Sequence, residues 1–361
     1  MNADRLFLEA AIELAENGRL SCSPNPPVGC LICKDGEVIG RGFHERSGKP
    51  HAEVNALESL AGGIQDLTGA TVYVSLEPCA FEGRTPACAK TLSKFPIKRV
   101  VVGAIDPHPS VAGEGIKILR ESGIQVDLIE LDSAMRCIEG FQKRVDLGRP
   151  LVRLKTASSL DGATSLADGT SKWITSEDSR KDVQYWRARS DAIITGVGTV
   201  LSDNPNLTVR EEKYSMADKP IRVVFDSQAR TPVESNVFDG STKTIVVHSN
   251  QVSMEKNSST IDQVEFVAFK GDQPNIREVM EHLADLGCNE ILVESGPKLM
   301  GAFLQTDLWD EWLVYIAPKV LGNDSNTLAN IRVPDIGGAS VGRIIDTRPL
   351  GPDIRLTIRP D

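Results

Sequence analysis

The sequence feature that most constrains this chain is a set of four residues, His51, Glu53, Cys79 and Cys88. A zinc ion that activates water needs three protein ligands and one open coordination position. One imidazole and two thiolates, from His51, Cys79 and Cys88, supply that number of ligands. Glu53 is then spare as a ligand, so its carboxylate is free to carry protons beside the open position. The alternative is that all four are ordinary helix and loop residues.

The residues around this set predict where the side chains lie. Apolar residues after His51 recur at helical spacing, so a helix begins there. Residues 71–76 predict a buried strand, and Cys79 follows its end. Pro86 predicts a second helix start with Cys88 in its first turn, where the helix dipole favours a thiolate. Two helix starts and one strand end therefore converge, as a rigid metal site requires.

Length and composition restrict the class of protein. At 361 residues the chain is long for one hydrophobic core, so two domains are expected. The 40% hydrophobic and 25% charged fractions are typical of soluble globular proteins, and no stretch predicts an export signal or a membrane span. A net charge of −10 argues against a nucleic-acid surface. We therefore expect a cytoplasmic protein with a small-molecule substrate and neither a nucleic-acid nor a membrane partner.

The seven cysteines are odd in number and show no disulfide framework. In a chain without an export signal they should be reduced, so thiolate metal binding is the better use for any cluster. Cys30 and Cys33 form a C-x-x-C motif on a predicted strand, where residues three apart point to opposite faces. This spacing favours a structural role for the pair over a shared metal.

The order of elements predicts an α/β protein with two domains, residues 1–147 and 150–361. In the first, a hairpin around Lys34-Asp35-Gly36 precedes alternating strands and helices, which favours a mostly parallel sheet covered by helices. One of these helices is expected over residues 133–146. The boundary is predicted at Leu147-Gly148-Arg149-Pro150, after which a new strand starts.

Two small-residue turns in the second half follow predicted strands. They are Gly196-Val197-Gly198 and Ser295-Gly296-Pro297, and the second leads into a helix. A strand, such a turn and a helix N-terminus make a place for a dinucleotide pyrophosphate. Both turns lack the full G-x-G-x-x-G spacing, so a standard Rossmann domain is not supported. A tight turn without a ligand remains an alternative for Gly196-Val197-Gly198.

Nearly the whole chain carries motifs that resemble a known family. The first half is similar to the cytidine-deaminase-like superfamily, with its H-x-E…P-C-x-x-C zinc signature, although here eight residues separate Cys79 from Cys88. The whole chain resembles the bifunctional riboflavin-biosynthesis family, which has this longer spacing and joins a diaminohydroxyphosphoribosylaminopyrimidine deaminase to a 5-amino-6-(5-phosphoribosylamino)uracil reductase. The matching stretches are Asn25-Pro26-Pro27-Val28-Gly29, Gly42-Phe43-His44, His51-Ala52-Glu53, Glu77-Pro78-Cys79, Gly83-Arg84-Thr85-Pro86-Ala87-Cys88, Ser159-Leu160-Asp161-Gly162, Ser171-Lys172-Trp173-Ile174-Thr175, Gly196-Val197-Gly198-Thr199-Val200, Asp203-Asn204-Pro205 and Val293-Glu294-Ser295-Gly296.

The resemblance implies an N-terminal cytidine-deaminase-like three-layer domain and a C-terminal domain similar to dihydrofolate reductase, a mixed sheet with helices on both sides. It also implies Zn²⁺ and NADPH as cofactors and a homo-oligomer, either a dimer or a tetramer. The first implied reaction is zinc-hydroxide hydrolytic deamination of 2,5-diamino-6-ribosylamino-4(3H)-pyrimidinone 5′-phosphate. In the second, NADPH reduces the ribosyl group of 5-amino-6-(5-phosphoribosylamino)uracil to ribityl.

The resemblance also implies roles for individual residues. It keeps the three zinc ligands, makes Glu53 catalytic, and adds deaminase substrate contacts from Asn25, His44 and Arg84. The implied NADPH contacts are Ala157, Trp173, Thr199, Asp203, Ser227, Gly296, Pro297, Lys298, Leu299, Met300 and Gly301. The implied reductase substrate contacts are Lys155, Ser171, Arg187, Leu207, Arg210 and Glu294. The sequence departs from the family after Cys79, where Ala80-Phe81-Glu82 replaces a loop that usually carries a histidine.

Three other interpretations make different predictions. A nucleoside or nucleic-acid base deaminase would carry a basic face or a short cysteine spacing, and neither is present. A nucleotide-binding protein with an inactive reductase half would fail to oxidise NADPH with the deaminated pyrimidine. A structural zinc site would close all four coordination positions, whereas His51, Cys79 and Cys88 offer three ligands.

Overall fold

The computed structural model of the protein describes residues 3–82, 86–252, 262–322, 324–339 and 342–361. The chain divides into two compact units, Met1–Gly148 and Arg149–Asp361. Each unit has hydrophobic cores of its own. Among the helices of the described residues, none is both long and apolar enough to cross a membrane.

In the first unit, the described residues form one sheet and the helices that cover it. The strands are β1 (Gly29–Lys34), β2 (Glu37–Phe43), β3 (Thr71–Val74), β4 (Arg99–Val102) and β5 (Gln125–Leu128). The helices are α1 (Ala3–Ala15), α2 (Ala52–Glu58), α3 (Cys88–Leu92), α4 (Glu114–Glu121), α5 (Asp132–Cys137) and α6 (Glu139–Leu147).

The strand order of this sheet is β2-β1-β3-β4-β5. Strand β1 pairs antiparallel with β2 and β3, whereas β3, β4 and β5 are parallel. The expected mostly parallel sheet is therefore half antiparallel, because the hairpin enters at β1. Helices α1 and α5 pack on one face, around Leu8 and Ala134, and α2, α3 and α4 pack on the other, around Ala56 and Leu119. These layers confirm the three-layer prediction.

The helix expected over residues 133–146 is two helices, α5 and α6. They meet at Ile138, whose φ of −104° and ψ of 8° lie outside the helical range. Cys137 and Ile138 are both buried in the same core. Adjacent positions of one straight helix point about 100° apart, so the break lets both side chains enter that core.

The second unit has a larger sheet. Its strands are β6 (Leu151–Ser159), β7 (Ala163–Ser165), β8 (Ala192–Gly196), β9 (Ile221–Phe225), β10 (Thr244–Ser249), β11 (Val264–Phe269), β12 (Glu290–Glu294), β13 (Glu311–Ala317), β14 (Asn326–Thr327), β15 (Gly342–Leu350) and β16 (Asp353–Pro360). Its helices are α7 (Glu177–Arg189), α8 (Val197–Asp203), α9 (Ile276–Asp285) and α10 (Pro297–Leu304). Single 3₁₀ turns of the chain lie at Glu16–Gly18, Ile64–Leu67, Glu212–Tyr214, Asn236–Phe238 and Ile336–Gly338.

The main sheet of this unit has the order β11-β10-β9-β8-β12-β6-β13-β16-β15, and β7 pairs separately with β14. The strands from β11 to β13 are parallel, whereas β16 and β15 are antiparallel. Helices α9 and α10 pack on one face, and α7 and α8 pack on the other. This mixed sheet with helices on both sides confirms the prediction for the second half. The carboxyl ends of β6, β8, β9 and β12 therefore share one edge.

A glycine lets helix α2 lie directly on strand β2. A Cβ atom built on Gly42 would be 2.3 Å from the backbone nitrogen of Ala56 and 2.5 Å from the carbonyl oxygen of Ala52. Contacts that short are repulsive, so no other residue fits without moving the helix. Since α2 begins immediately after His51, this contact sets the positions of His51 and Glu53.

We expect Gly42→Ala to lower the free energy of unfolding of the first unit by about 1–3 kcal/mol, because the added methyl group pushes α2 off the sheet. Urea unfolding measures the change. Arg41→Ala alters an exposed neighbour on the same strand and is the control, with an expected effect within about 0.5 kcal/mol. Equal stabilities of the two variants would contradict the close-contact explanation.

Candidate active sites

Three separate elements of the first unit bring metal-ligand atoms together. His51 is the N-cap residue of α2, Cys79 follows the end of β3, and Cys88 is the first residue of α3. One ligand atom from each side chain lies within 4.8 Å of the other two. The structure therefore places all three residues predicted from the sequence at one point.

The distances within this group fit zinc. His51 Nδ1 lies 3.6 Å from Cys79 Sγ and 3.4 Å from Cys88 Sγ. In a tetrahedral site, Zn–S bonds of about 2.3 Å and Zn–N bonds of about 2.0–2.1 Å separate nitrogen from sulfur by about 3.6 Å. The site therefore needs little rearrangement to hold the ion, and three ligands leave one coordination position for water or substrate.

The two cysteine thiols differ in acidity before a metal binds. A hydrogen bond from the Cys88 thiol holds the pKa of Cys79 well below that of an ordinary cysteine, and His51 contributes to the same shift. The Cys88 backbone N–H also donates to Cys79 Sγ at 3.2 Å. The pKa of Cys88 is raised, because its proton bonds to Cys79 and because the site is buried. A divalent cation removes the repulsion between two thiolates and holds both deprotonated.

Glu53 lies in the first turn of α2 and is only 3% exposed. Burial raises the pKa of Glu53 to about 7, and the negative charge of Cys79 adds to the shift. A nearby divalent cation acts in the opposite direction, because it favours the carboxylate. A carboxyl group whose pKa lies near neutrality accepts and donates protons at the same pH. Glu53 is thus a buried carboxyl group two residues from the candidate ligand His51, as a proton carrier beside a metal requires.

The strand end that carries Cys79 is held by the buried Glu77 carboxylate. That carboxylate accepts three backbone hydrogen bonds of 2.9–3.3 Å, from the N–H groups of Asp106, Gly113 and Ile116. A Cβ atom on Gly115 would be 2.0 Å from the Pro78 carbonyl oxygen. Helix α4 can therefore approach Pro78 only because Gly115 lacks a side chain. These contacts fix the backbone immediately before Cys79.

Comparison with known proteins finds a matching family model within each of the two units. The family model of the cytidine and deoxycytidylate deaminase zinc-binding region matches residues 1–104, and that of the RibD C-terminal domain matches residues 150–332. The riboflavin biosynthesis protein RibD of Escherichia coli (strain K12) is 40% identical over 365 residues, which cover 98% of each chain. The chain belongs to the RibD family.

Solved structures of similar proteins cover the same length. RibD of Acinetobacter baumannii is 38% identical in one crystal form, with a TM-score of 0.92 and 99% of each chain covered. A diaminohydroxyphosphoribosylaminopyrimidine deaminase/5-amino-6-(5-phosphoribosylamino)uracil reductase from Thermotoga maritima is 32% identical, with a TM-score of 0.89 and the same coverage. Both similarities extend over the two units, so the family assignment covers the whole chain.

Two of the three predicted deaminase substrate contacts lie beside the metal ligands. The Asn25 amide donates to His44 Nε2 at 3.0 Å, and His44 Nδ1 donates to the Pro50 carbonyl at 3.1 Å. The rings of His44 and His51 meet edge-on, with centroids 5.0 Å apart. Burial lowers the pKa of His44, which favours the neutral ring that this pattern requires. Arg84, the third predicted contact, lies outside the described residues.

The loop that departs from the family pattern places an aromatic ring near this site. Phe81 is 47% exposed, and its ring centroid lies 5.9 Å from that of His108. His108 belongs to the loop after β4, and its Nδ1 accepts a hydrogen bond from the Ser110 N–H at 3.3 Å. Phe81, in the loop that was expected to carry a histidine, is therefore packed against an imidazole from another loop.

The second unit joins two turns at the carboxyl ends of β8 and β12. The Gly296 N–H, just before α10, donates to Thr199 Oγ1 at 3.0 Å. Pro297 occupies the first position of α10, where its missing N–H costs no hydrogen bond. The turns, predicted separately from the sequence, therefore form one structure.

This pair of turns fits a dinucleotide. A Cβ atom on Gly198 would have nothing within 4 Å, so the turn leaves open space. The Ser295 hydroxyl oxygen is buried without a hydrogen-bond partner in the described part of the unit. The N-terminus of α10 presents backbone donors toward the same edge. Room, an unsatisfied hydroxyl and helix donors match what a pyrophosphate and its ribose groups require.

The remaining predicted cofactor contacts lie in several different elements and differ in their burial. Ala157 lies in β6, Asp203 ends α8 and Ser227 follows β9, all on strands or connections of the same sheet. Trp173 is 61% exposed, and the Arg180 guanidinium lies 4.5 Å from its ring centroid. Met300 is wholly buried in the core, and Gly301 packs on Asn330, so these two can meet a cofactor only through their backbone. Lys298 and Leu299 lie in the first turn of α10.

Three predicted substrate contacts, Lys155, Arg187 and Glu294, cluster on β6, β12 and α7. Lys155 and Glu294 are paired across β6 and β12, with Nζ and Oε2 3.9 Å apart. Arg187 binds both oxygens of Glu294, at 2.6 and 3.0 Å, and also the Thr208 carbonyl at 3.0 Å. Burial lowers the pKa of Lys155. Burial opposes ionisation of Glu294 as well, but the charges of Arg187 and Lys155 prevail and its pKa is lowered.

The other three predicted substrate contacts differ in their exposure to solvent. Arg210 is exposed and close enough to Glu294 to contribute to its lowered pKa. Leu207 is buried with φ 48°, and Ser171 is half-buried in the segment before α7. Arg187, the other arginine among the expected substrate contacts, makes three hydrogen bonds within the protein, to Glu294 and the Thr208 carbonyl. The exposed Arg210 is therefore the better phosphate ligand of the two.

We expect Cys79→Ser to abolish stoichiometric zinc binding, because the hydroxyl of serine is a poor zinc ligand at neutral pH. Metal analysis of the purified protein should give one zinc per chain before the change and none after it. Cys33→Ala, a buried cysteine on another face of the sheet, is the control and should keep the metal. Full zinc occupancy in the Cys79 variant would remove that residue from the ligand set.

Proposed function

We propose that the two units divide the work of a bifunctional riboflavin-biosynthesis enzyme, with deamination in residues 1–148 and reduction in residues 149–361. The family supports both activities, and the substrates proposed are the phosphoribosyl pyrimidines expected from the sequence. The observation that carries the deaminase assignment is a triad of ligand atoms at zinc spacing beside the buried Glu53. The reductase assignment rests on the joined turns at β8 and β12, next to the Lys155 and Glu294 pair.

In the deaminase unit, His51, Cys79 and Cys88 would hold zinc, whose Lewis acidity would activate water at neutral pH. Glu53 takes a proton as the water oxygen bonds to the pyrimidine carbon that bears the 2-amino group. The same carboxyl group then gives a proton to the departing nitrogen, so ammonia leaves and a carbonyl remains. Asn25 and His44 flank this point and orient the ring of the substrate.

We expect Glu53→Gln to retain zinc and to lower ammonia release by about 10²–10⁴-fold, because an amide cannot carry the proton. Zinc content and ammonia are measured on the same preparation. Glu58→Gln, an exposed change on the same helix, is the control and should leave both unchanged. A Glu53 variant with normal turnover would show that another group moves the proton.

In the reductase unit, bound NADPH would supply a hydride to C1′ of the sugar. The bond from C1′ to the ring oxygen breaks, and that oxygen takes up a proton from solvent, which leaves the open ribityl chain. The Lys155 ammonium and the Arg187–Glu294 ion pair form a cluster of charged groups next to the joined turns. We assign to them the hydroxyl groups of the sugar, because charged donors and acceptors hold hydroxyls firmly. Arg210, exposed near the same carboxylate, is assigned to the substrate phosphate, which a guanidinium binds with two parallel hydrogen bonds.

We expect Arg210→Ala to weaken binding of the phosphoribosyl substrate by about ten- to a hundredfold, since a charge-assisted hydrogen bond is worth about 1.5–3 kcal/mol. The affinity for NADPH should not change. Titration with each ligand separates the two effects, and Lys213→Ala, a nearby exposed cation, is the control. Unchanged substrate affinity would assign Arg210 to the solvent-exposed surface, whereas an equal loss for both ligands would indicate local misfolding.

We also propose a cytoplasmic homo-oligomer, either a dimer or a tetramer. All seven cysteines are thiols rather than disulfides, which suits a reducing compartment. Strand β15 lies at the edge of the large sheet, with Ile344 and Ile345 exposed. A long open strand edge with apolar side chains is a surface on which a second copy of the chain can pair.

A further inference from the structure

The strand order indicates how a bound dinucleotide would be oriented across the sheet. The joined turns follow β8 and β12, and the Lys155 and Glu294 pair lies on β6 and β12. The nicotinamide must face that pair, because the substrate is reduced there. With the order β10-β9-β8-β12-β6, the adenosine half then extends the other way, over the carboxyl ends of β9 and β10.

The connection after β9 is a compact turn built around a buried carboxylate. Asp226 Oδ2 accepts hydrogen bonds from the Thr231 N–H at 2.6 Å and from its hydroxyl at 2.8 Å. The Ala229 N–H donates to the Asp226 carbonyl oxygen at 2.9 Å. Residues 227–230 are thereby held at the tip of the turn, on the carboxyl edge of the sheet.

This turn lies next to the end of α8. The Asn236 N–H donates to Asn204 Oδ1 at 2.8 Å, and the Asn236 amide donates to the Asn204 carbonyl oxygen at 2.7 Å. Asn204 directly follows Asp203, a predicted cofactor contact. The β9 connection therefore continues the surface that begins at the joined turns.

Arg230 presents a cation on that surface. Its side chain is 59% exposed, and its Nε lies 3.9 Å from Asp226 Oδ1. That oxygen has no hydrogen-bond partner in the described part of the chain, so the contact is an ion pair that leaves the guanidinium donors available. The buried carboxylate holds the guanidinium near the strand end without consuming its hydrogen bonds.

The sequence offers few alternatives to Arg230 on the adenosine side. Residues 196–206, which include α8, contain no lysine or arginine, and neither do residues 249–252 after β10. Within residues 226–240, Arg230 is the one cationic side chain. Lys298 belongs to α10, on the β12 side of the joined turns. Lys270 also lies at this edge, but it follows β11, two strands beyond β9. A phosphate on the adenosine ribose would therefore meet Arg230 first among the described residues.

We infer that Arg230 binds the 2′-phosphate of NADPH and that the Asp226 turn selects NADPH over NADH. The inference rests on the proposed reductase function, because it requires a nicotinamide dinucleotide on this edge. A 2′-phosphate carries about two negative charges, and an exposed guanidinium pairs with it through two hydrogen bonds. NADH lacks that group, so Arg230 contributes nothing to its binding.

The test measures equilibrium affinities of the full-length protein for NADPH and NADH by calorimetry, without any turnover. Arg230→Gln keeps the side-chain length and removes the charge. We expect the affinity for NADPH to fall by about ten- to a hundredfold, with NADH unchanged within about twofold. Added salt should narrow the preference of the unaltered protein for NADPH, because the phosphate contact is exposed. Adenosine 2′,5′-bisphosphate and adenosine 5′-monophosphate, used as shorter probes, should repeat the same difference.

Two further variants separate the possible causes. Lys298→Gln should lower both affinities by the same factor, because the pyrophosphate is common to both dinucleotides. Lys243→Ala, at the opposite end of β10, should alter neither. The inference is overturned if Arg230→Gln lowers both affinities equally, if it changes neither, or if Lys298→Gln alone removes the preference for NADPH. If the unaltered protein binds neither dinucleotide, the proposed reductase function fails and this inference fails with it.

Discussion

The buried Glu77 carboxylate is the interaction on which the first unit most depends. It has been removed from water, and three backbone N–H groups from the β4 connection and the start of α4 replace that solvation. Such hydrogen bonds, together with the helix dipole, stabilise a negative charge that burial alone would disfavour. Because Pro78 and Cys79 follow directly, the same contacts hold a candidate zinc ligand just after the end of β3. A rigid site then needs only the starts of α2 and α3 beside it.

In the second unit, the buried ion pairs that stabilise the fold and the charged residues proposed to contact substrate lie at opposite ends of the parallel strands. At their amino ends, Arg153 forms buried ion pairs with Glu290 and Glu311. At their carboxyl ends, Lys155 and Glu294 form a more accessible pair next to open turns. The parallel register places each group at its edge, because Lys155 and Glu294 occupy matched positions of adjacent strands. The charged groups at the amino ends of the strands are therefore buried in ion pairs, whereas those at the carboxyl ends are accessible to a substrate.

Local signals in the sequence predict much of this structure. Asp35 and Gly36 adopt positive φ values in the hairpin turn, and Ser176 caps α7 by accepting a hydrogen bond from the Ser179 N–H. Each depends on neighbours within a few residues, so composition and spacing suffice. The strands β13, β15 and β16 were not predicted. Strand β13 pairs with β6, far away in sequence, and β15 is exposed along nearly its whole length. In β16 the buried residues are polar, Asp353, Arg355 and Thr357, so a hydrophobic pattern does not reveal the strand. The break at Ile138 depends on core packing, which no local pattern expresses.

The sequence by itself identified the candidate zinc ligands and the candidate proton carrier Glu53, because a metal ion demands particular side chains and each ligand lies at a recognisable helix start or strand end. It also indicated that two turns of the second half suit a nucleotide, with a tight turn without a ligand as the alternative for Gly196-Val197-Gly198. Only the tertiary structure decided that these turns are joined, that Glu77 supports the metal site, and that Arg187 is committed to Glu294. These contacts join residues tens to about a hundred positions apart in the chain. Their energies depend on burial and geometry, which exist only once the sheets have formed.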